Sequence, residues 1–143
     1  MFELHPQLRH DCRVIGRFPL CQLLLLNDAR FPWYVLVPER ECVTEIYMLS
    51  QSERSQLWRE SNQLSECIVQ LFRPDKLNIA ALGNVVPQLH VHHIARYTRD
   101  AAWPKPVWGV GIAQPYDAAA LEQRRAQTGE WLAGREGFVV GAE

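Results

Sequence analysis

The residues with most chemical capacity lie in one short stretch, Asn84-Val85-Val86-Pro87-Gln88-Leu89-His90-Val91-His92-His93-Ile94. Polar and apolar residues alternate from Gln88 through His92, a pattern that predicts a β-strand. Alternate side chains of a strand share a face, so Gln88, His90 and His92 are expected to project together, each about 7 Å from the next. His93 falls on the opposite face, where a satisfied core or interface histidine is the expected role. Two imidazoles and an amide in a row can attack phosphorus, move a proton or bind a metal. The metal option lacks ligands. Zinc takes three or four protein donors, and no Asp, Glu or Cys lies between Leu77 and Thr98. Metal-dependent hydrolysis through His90 and His92 stays as an alternative, as does a plain reading in which both are polar residues of an exposed strand.

That row must be held by a scaffold, and the flanking sequence supplies one. Leu23-Leu24-Leu25-Leu26 stops at Asn27-Asp28, and Trp33-Tyr34-Val35-Leu36-Val37 is closed by Pro38. Both runs read as strands, and the short link between them makes a hairpin. Arg13 to Phe18 adds an earlier strand. Ser50-Gln51-Ser52-Glu53 fits a capping box. Leu57, Leu64, Ile68 and Leu71 then recur at helical spacing until Arg73-Pro74-Asp75 ends the helix. Lys76 to Leu82 predicts another strand, with a turn at Gly83-Asn84. The tail from Asp117, a capping residue, to Trp131 reads as a helix. Strands, long helix, strands, helix describe an α+β fold with an antiparallel sheet.

Composition narrows the function classes. At 143 residues the chain has the size of a single domain, 1–143, with a core over about 12–110 and a helical tail over 115–133. A net charge of -1 gives no basic excess to cover a nucleic-acid polymer. The N-terminus has neither the basic nor the apolar segment of a signal peptide, and Leu23–Leu26 is too short to span a bilayer. Cytoplasmic residence without membrane attachment is expected. Cys12, Cys21, Cys42 and Cys67 form no C-x-x-C pair and read as reduced thiols.

The stretch around His90 resembles the motif of the histidine-triad (HIT) superfamily, His-φ-His-φ-His-φ-φ, where φ is hydrophobic. Here it reads Gln88-Leu89-His90-Val91-His92-His93-Ile94. The middle and third histidines are present, Gln88 stands at the first, and His93 takes a φ position. Asn27-Asp28 followed by Tyr34-Val35-Leu36-Val37-Pro38 looks like the family's early hairpin. Lys76 to Pro87 looks like the approach to the triad in bacterial members labelled diadenosine tetraphosphate hydrolases.

The resemblance implies a HIT-like sheet with helices on one face, paired as a homodimer. It implies attack by His90 on the α-phosphorus of a nucleoside phosphate, a nucleotidyl-histidine intermediate, and hydrolysis of that intermediate by water. His92 would assist the leaving group or hold a phosphate oxygen. Asn27 would contact the ribose, with Asn84, Gly83, Gln88 and Asn78 near the phosphates. No cofactor is required by this chemistry. The partners are then a small nucleotide and a second copy of the chain. Dinucleoside polyphosphates, nucleoside phosphoramidates, aminoacyl-adenylates and nucleotide sugars all fit. A nucleotide-binding module with little turnover is the alternative, because an amide at 88 cannot carry charge or a proton.

Other residues admit two roles each. The Trp103–Trp108 loop either packs over the core or walls a leaving-group pocket, with Lys105 near phosphate. Phe31, Trp33 or Tyr34 could stack on a base, but Trp33 and Tyr34 face opposite ways. Arg96 and Arg99 either meet phosphate or are solvated.

Overall fold

His5 and Pro6 start the first element. The His5 ring nitrogen accepts the Gln7 N–H at 3.1 Å, and proline fits the first helical position because its missing donor is not needed there. This opens a short helix, α1 (Pro6–Asp11), which leads directly into β1 (Cys12–Arg17). Strands β2 (Cys21–Leu26) and β3 (Trp33–Pro38) follow as the expected hairpin, paired from Cys21↔Pro38 to Leu25↔Tyr34. After α2 (Gln51–Phe72) come β4 (Lys76–Ala80), β5 (Val91–Arg96), α3 (Ala118–Leu132) and β6 (Val139–Val140). The six strands form one antiparallel sheet in the order β4-β5-β3-β2-β1-β6. The computed structural model from which these elements are taken describes residues 1–141.

The long helix starts as its sequence requires. The Ser50 hydroxyl accepts the Glu53 N–H, and the Glu53 carboxylate accepts the Ser50 N–H, closing the capping box. It ends at Phe72, with Arg73 in the left-handed region at φ 45° and Pro74 behind it. Its inward residues, Leu57, Leu64, Cys67 and Ile68, pack with Leu23, Leu25, Tyr34, Leu36 and Ala95 on one sheet face. α3 covers the same face, where Leu132 is buried and the Tyr34 hydroxyl donates to Thr128 at 2.7 Å. The other face carries Leu24, Trp33, Val35, Val37 and Ile94 against Leu8 of α1 and Val107. β2 and β3 are therefore buried on both sides, which explains their unbroken apolar runs. Among the described residues no helix is long and apolar enough to cross a membrane.

Three expectations need correction. The strand expected over Gln88–Ile94 begins only at Val91. β3 pairs with β5 no further than Leu36↔Val91, and the Leu89 N–H turns to the Val43 carbonyl at 3.0 Å. The alternation before Val91 reflects an extended approach, not a ladder. The strand expected over 76–82 stops at Ala80. Finally, α1 and β6 lie outside the expected elements. β6 closes over β1 at Gly16, where an added Cβ would strike the Val139 carbonyl and the Phe138 ring.

Two polar groups are sealed in the helix-covered side. The Glu60 carboxylate accepts the Leu20 and Cys21 N–H groups, both at 2.9 Å, and the Gln56 amide at 2.7 Å. It thus ties α2 to the turn that enters β2. His93 is fully buried, as its parity suggested. It donates from Nδ1 to the Val91 carbonyl at 3.2 Å and accepts the Ser61 hydroxyl on Nε2 at 2.7 Å. This serine–histidine pair resembles a nucleophile and its base, but neither residue reaches solvent.

Two tests follow from these groups. Glu60→Ala strands two buried N–H donors and should cost roughly 3 kcal/mol of unfolding free energy in urea titrations. A loss below about 0.5 kcal/mol would show that water satisfies the turn instead. For His93, burial outweighs the Val91 hydrogen bond and pushes the pKa down to about 4. The unfolded chain then binds a proton near pH 6.5 that the folded chain refuses. The stabilisation is complete above pH 6.5 and drains away as pH falls toward 4, by up to about 3 kcal/mol. His93→Gln should flatten that part of the stability curve, and an unchanged slope would refute the assignment.

Candidate functional site

On the face opposite α2 and α3, a cleft of about 480 Å³ opens between α1, the turn after β4, and the start of β5. Its size suits a small-molecule ligand. His90 and His92 line one side, Leu8 and Asp11 of α1 another, and Gly83 and Asn84 the rim. Gly83 has φ 76°, a left-handed conformation that lets the chain reverse there and present Asn84. None of the described residues lining this cleft is Lys or Arg. Phosphate charge would therefore meet N–H donors and imidazoles in place of fixed cations.

The two histidines are held by different partners. The His90 Nδ1–H donates to the Gln88 carbonyl at 2.7 Å. A carbonyl only accepts, so the Nδ1 proton is fixed and the Nε2 lone pair is left free. His92 is held in the reverse sense. Its Nδ1 accepts the indole N–H of Trp33 at 2.9 Å. An indole only donates, so the single proton of neutral His92 sits on Nε2. Burial first, then the neighbouring His90 and His93, lower its pKa to about 3. The rings of His90 and His92 lie 4.9 Å apart at 74°. Backbone positions two apart on a strand are separated by about 7 Å, so the two rings lean toward each other. Trp108 packs edge-on against both His92 and Trp33, with centroids at 5.1 and 5.6 Å.

A second compartment of about 420 Å³ adjoins the first, sharing Asp11, Leu26, Trp33 and Trp108 as a common wall. Asn27, Asp28 and Arg30 line it. Their polar groups are largely engaged. The Asn27 amide oxygen accepts the Tyr116 N–H at 2.9 Å. Arg30 donates to the Asp28 carboxylate at 2.8 Å and to the Val110 carbonyl at 2.6 Å. Burial raises the Asp28 pKa, but the Arg30 hydrogen bonds outweigh it and hold the carboxyl below its ordinary value.

The structure thus brings His90, His92, Gly83 and Asn84 into one cleft, with Asn27 in the adjoining compartment. Two of the expected site residues point elsewhere. The Gln88 carboxamide accepts the His5 N–H and donates to the Glu3 carbonyl, each at 2.9 Å, so it clasps the N-terminal segment. It does not stand in a row with His90 and His92, because residue 88 lies outside the strand that would have set that parity. The Asn78 amide oxygen accepts from Arg96 at 2.8 Å. Arg96 itself is 1% exposed and cannot meet phosphate as the sequence allowed. It also donates to both Asp100 oxygens, at 2.8 and 3.1 Å, and to the Lys105 carbonyl at 2.8 Å. Burial raises the Asp100 pKa, but Arg96 and three backbone N–H groups bring it down to about 2. This hub fixes the loop that carries Trp103 and Trp108.

Sequence reasoning placed Trp33 near the site as a surface for base stacking, and missed its bond to His92. It also missed the wall made by α1, for which Pro6 at the first helical position was the available signal. Among the described residues no three His, Cys, Asp or Glu side chains converge as a metal-binding group.

Comparison with known proteins agrees with this architecture. The HIT domain matches residues 7–99. A histidine triad protein from Bradyrhizobium japonicum is 45% identical, with a TM-score of 0.87 over 89% of this chain and 95% of that one. One from Sinorhizobium meliloti 1021 is 40% identical, with a TM-score of 0.89 over 91% and 96%. One from Marinobacter aquaeolei VT8 is 46% identical, with a TM-score of 0.83 over 92% and 93%. No curated protein matches the chain. The family match spans most of the chain, the similar structures cover nearly all of it, and His90 and His92 stand together in the cleft: the chain belongs to the HIT domain family.

Proposed function

We propose that this protein is a nucleotide hydrolase or transferase that cleaves at the α-phosphate of a nucleoside phosphate through a nucleotidyl intermediate on His90. The observation that carries the reading is the tautomer of His90. Its Nδ1–H is held by the Gln88 carbonyl, and its Nε2 lone pair is available in the cleft. A neutral imidazole fixed in this way is a nucleophile at neutral pH without needing a general base.

In the first step His90 Nε2 forms a bond to the α-phosphorus, and the bond from phosphorus to the leaving group breaks. In the second, water attacks phosphorus and the electron pair returns to Nε2. Asn84 and the backbone near Gly83 sit at the rim, where they can donate to non-bridging oxygens as charge builds there. The adjoining compartment beside Asn27 suits the nucleoside or the leaving group. Dinucleoside polyphosphates and other nucleoside phosphates with an activated α-position are the proposed substrates, and the proposed location is the cytoplasm. The engagement of Gln88 with the N-terminal segment favours a second reading, a nucleotide-binding module with slow turnover, because the first triad position offers nothing to the phosphate.

A homodimer is proposed as the working state. Among the described residues β4 pairs with β5 alone, so its other edge is open, and Ile79, Leu82 and Val85 expose apolar surface beside it. Light scattering over a wide concentration range should give twice the monomer mass, and a constant monomer mass would end the proposal.

His90→Ala should reduce turnover of every cleaved nucleotide by about 10³-fold or more, with circular dichroism unchanged. Rapid quenching above neutral pH should trap a nucleotide adduct on the parent protein and none on the variant. Near-normal turnover by His90→Ala would overturn the covalent mechanism. Tight nucleotide binding by a parent with no measurable turnover would establish the second reading.

A further inference from the structure

We infer that Trp33 is a positioning residue that locks His92 as a neutral Nε2–H donor, and that the site consequently selects substrates whose leaving group departs as an oxyanion. The inference rests on the proposed attack by His90 and adds what that reading leaves open, the chemical class of the bond broken.

The geometry begins with the indole. Its one N–H points at His92 Nδ1 at 2.9 Å, and both residues are buried. Trp33 cannot rotate away easily, because it packs edge-on against Phe31 and Trp108 with centroids at 6.2 and 5.6 Å. An imidazolium would carry a proton on Nδ1 facing the indole N–H, donor against donor. Protonation of His92 therefore requires the loss of a buried hydrogen bond as well as the burial of a charge. The surroundings do not compensate. Val35 on β3 and Ala80 on β4 lie opposite His92 across the sheet. Trp108 is uncharged, and His90 and His93 are its imidazole neighbours. Asp11 of α1 shares the cleft, 44% exposed and already bonded to Gln7.

A histidine held this way can donate a hydrogen bond but cannot supply a proton. Giving up the Nε2 proton would leave an imidazolate, an anion in a buried pocket with no cation lining it. Nor can His92 take a proton from water, since its one lone pair is occupied by Trp33. In the first step, then, the electron pair of the breaking bond must leave on the departing atom without protonation. An oxygen of a phosphate or polyphosphate accepts that pair as a stable anion, stabilised by the His92 Nε2–H. An amine does not, because it must be protonated before it leaves. In the second step the proton lost by water passes to solvent. The structure thus points to phosphoanhydrides in preference to phosphoramidates.

The test separates the tautomer from the activity. Nitrogen-15 NMR of the histidine-labelled full chain between pH 5 and 8 should show His92 protonated on Nε2 alone, with no titration in that window. A proton on Nδ1, or a ring that becomes doubly protonated above pH 5, would overturn the lock. Diadenosine tetraphosphate and adenosine 5′-phosphoramidate then provide one adenylyl group with two leaving groups. The anhydride should react roughly 10²-fold faster or more, the contribution expected of a missing general acid, with no acid limb in its pH profile. Equal or faster cleavage of the phosphoramidate would refute the substrate inference. In Trp33→Phe, His92 regains a free Nδ1 and should take up a proton more readily than in the parent, while burial still holds its pKa below the ordinary value. Phosphoramidate turnover should then rise several-fold between pH 8 and 5.5 while anhydride turnover does not. A merely structural role would slow both substrates alike at every pH. If Trp33→Phe does not fold, the NMR and the substrate ratio of the parent still decide. A parent inactive on both substrates but with the expected tautomer would refute the hydrolase reading and the substrate inference, while the lock itself would stand.

Discussion

Everything at the site depends on β3 being paired on both edges and covered on both faces. Its hydrogen bonds to β2 and β5 fix the register Val35↔His92 and Tyr34↔His93. Because the side-chain period of a strand is two, that register decides which imidazole meets the cleft and which is sealed under α2. A slip of one residue would exchange them, placing His93 in the cleft and His92 against Ser61. The apolar cost of such a slip is what holds the chemistry in place. Val91 and Ala95 would lose the helix-side core, while Ile94 would lose the other.

The two cleft histidines illustrate how second partners divide labour between like groups. His90 and His92 are the same kind of side chain two positions apart. A carbonyl behind one and an indole behind the other leave the same ring atom, Nε2, in opposite states toward the cleft, a lone pair on His90 and a proton on His92. The division needs no charged residue in the cleft. It also explains why the arginines are elsewhere: Arg96 and Arg30 brace the loops that set the walls, each through a buried carboxylate partner.

Much of the scaffold was legible in the sequence because its signals are local. The Ser50–Glu53 box, the Arg73-Pro74 stop, the Leu23–Leu26 and Trp33–Val37 runs and the Asp117 cap each act within a few residues. The opposite facing of Trp33 and Tyr34, and the burial of His93, followed from parity alone. The site was legible in type but only partly in arrangement. His90 and His92 share the cleft with Gly83 and Asn84, yet Gln88 and Asn78 are engaged by residues 83 to 85 and 18 positions away. Such partnerships leave no periodic trace. The early end of the β3–β5 ladder is likewise a tertiary event, decided by which carbonyl captures the Leu89 N–H.

Gln88 performs two unrelated tasks with two different groups. Its main-chain oxygen orients the His90 imidazole, while its side chain grips Glu3 and His5. The gripped segment runs directly into α1, whose Leu8 and Asp11 wall the cleft. The N-terminal strap and the orientation of His90 are therefore mechanically in series through one residue. A load applied to the first few residues, by a fused partner or by a ligand pressing on α1, is delivered to the carbonyl that aims Nε2. Gln88 thereby makes the segment before α1 part of the alignment of the site.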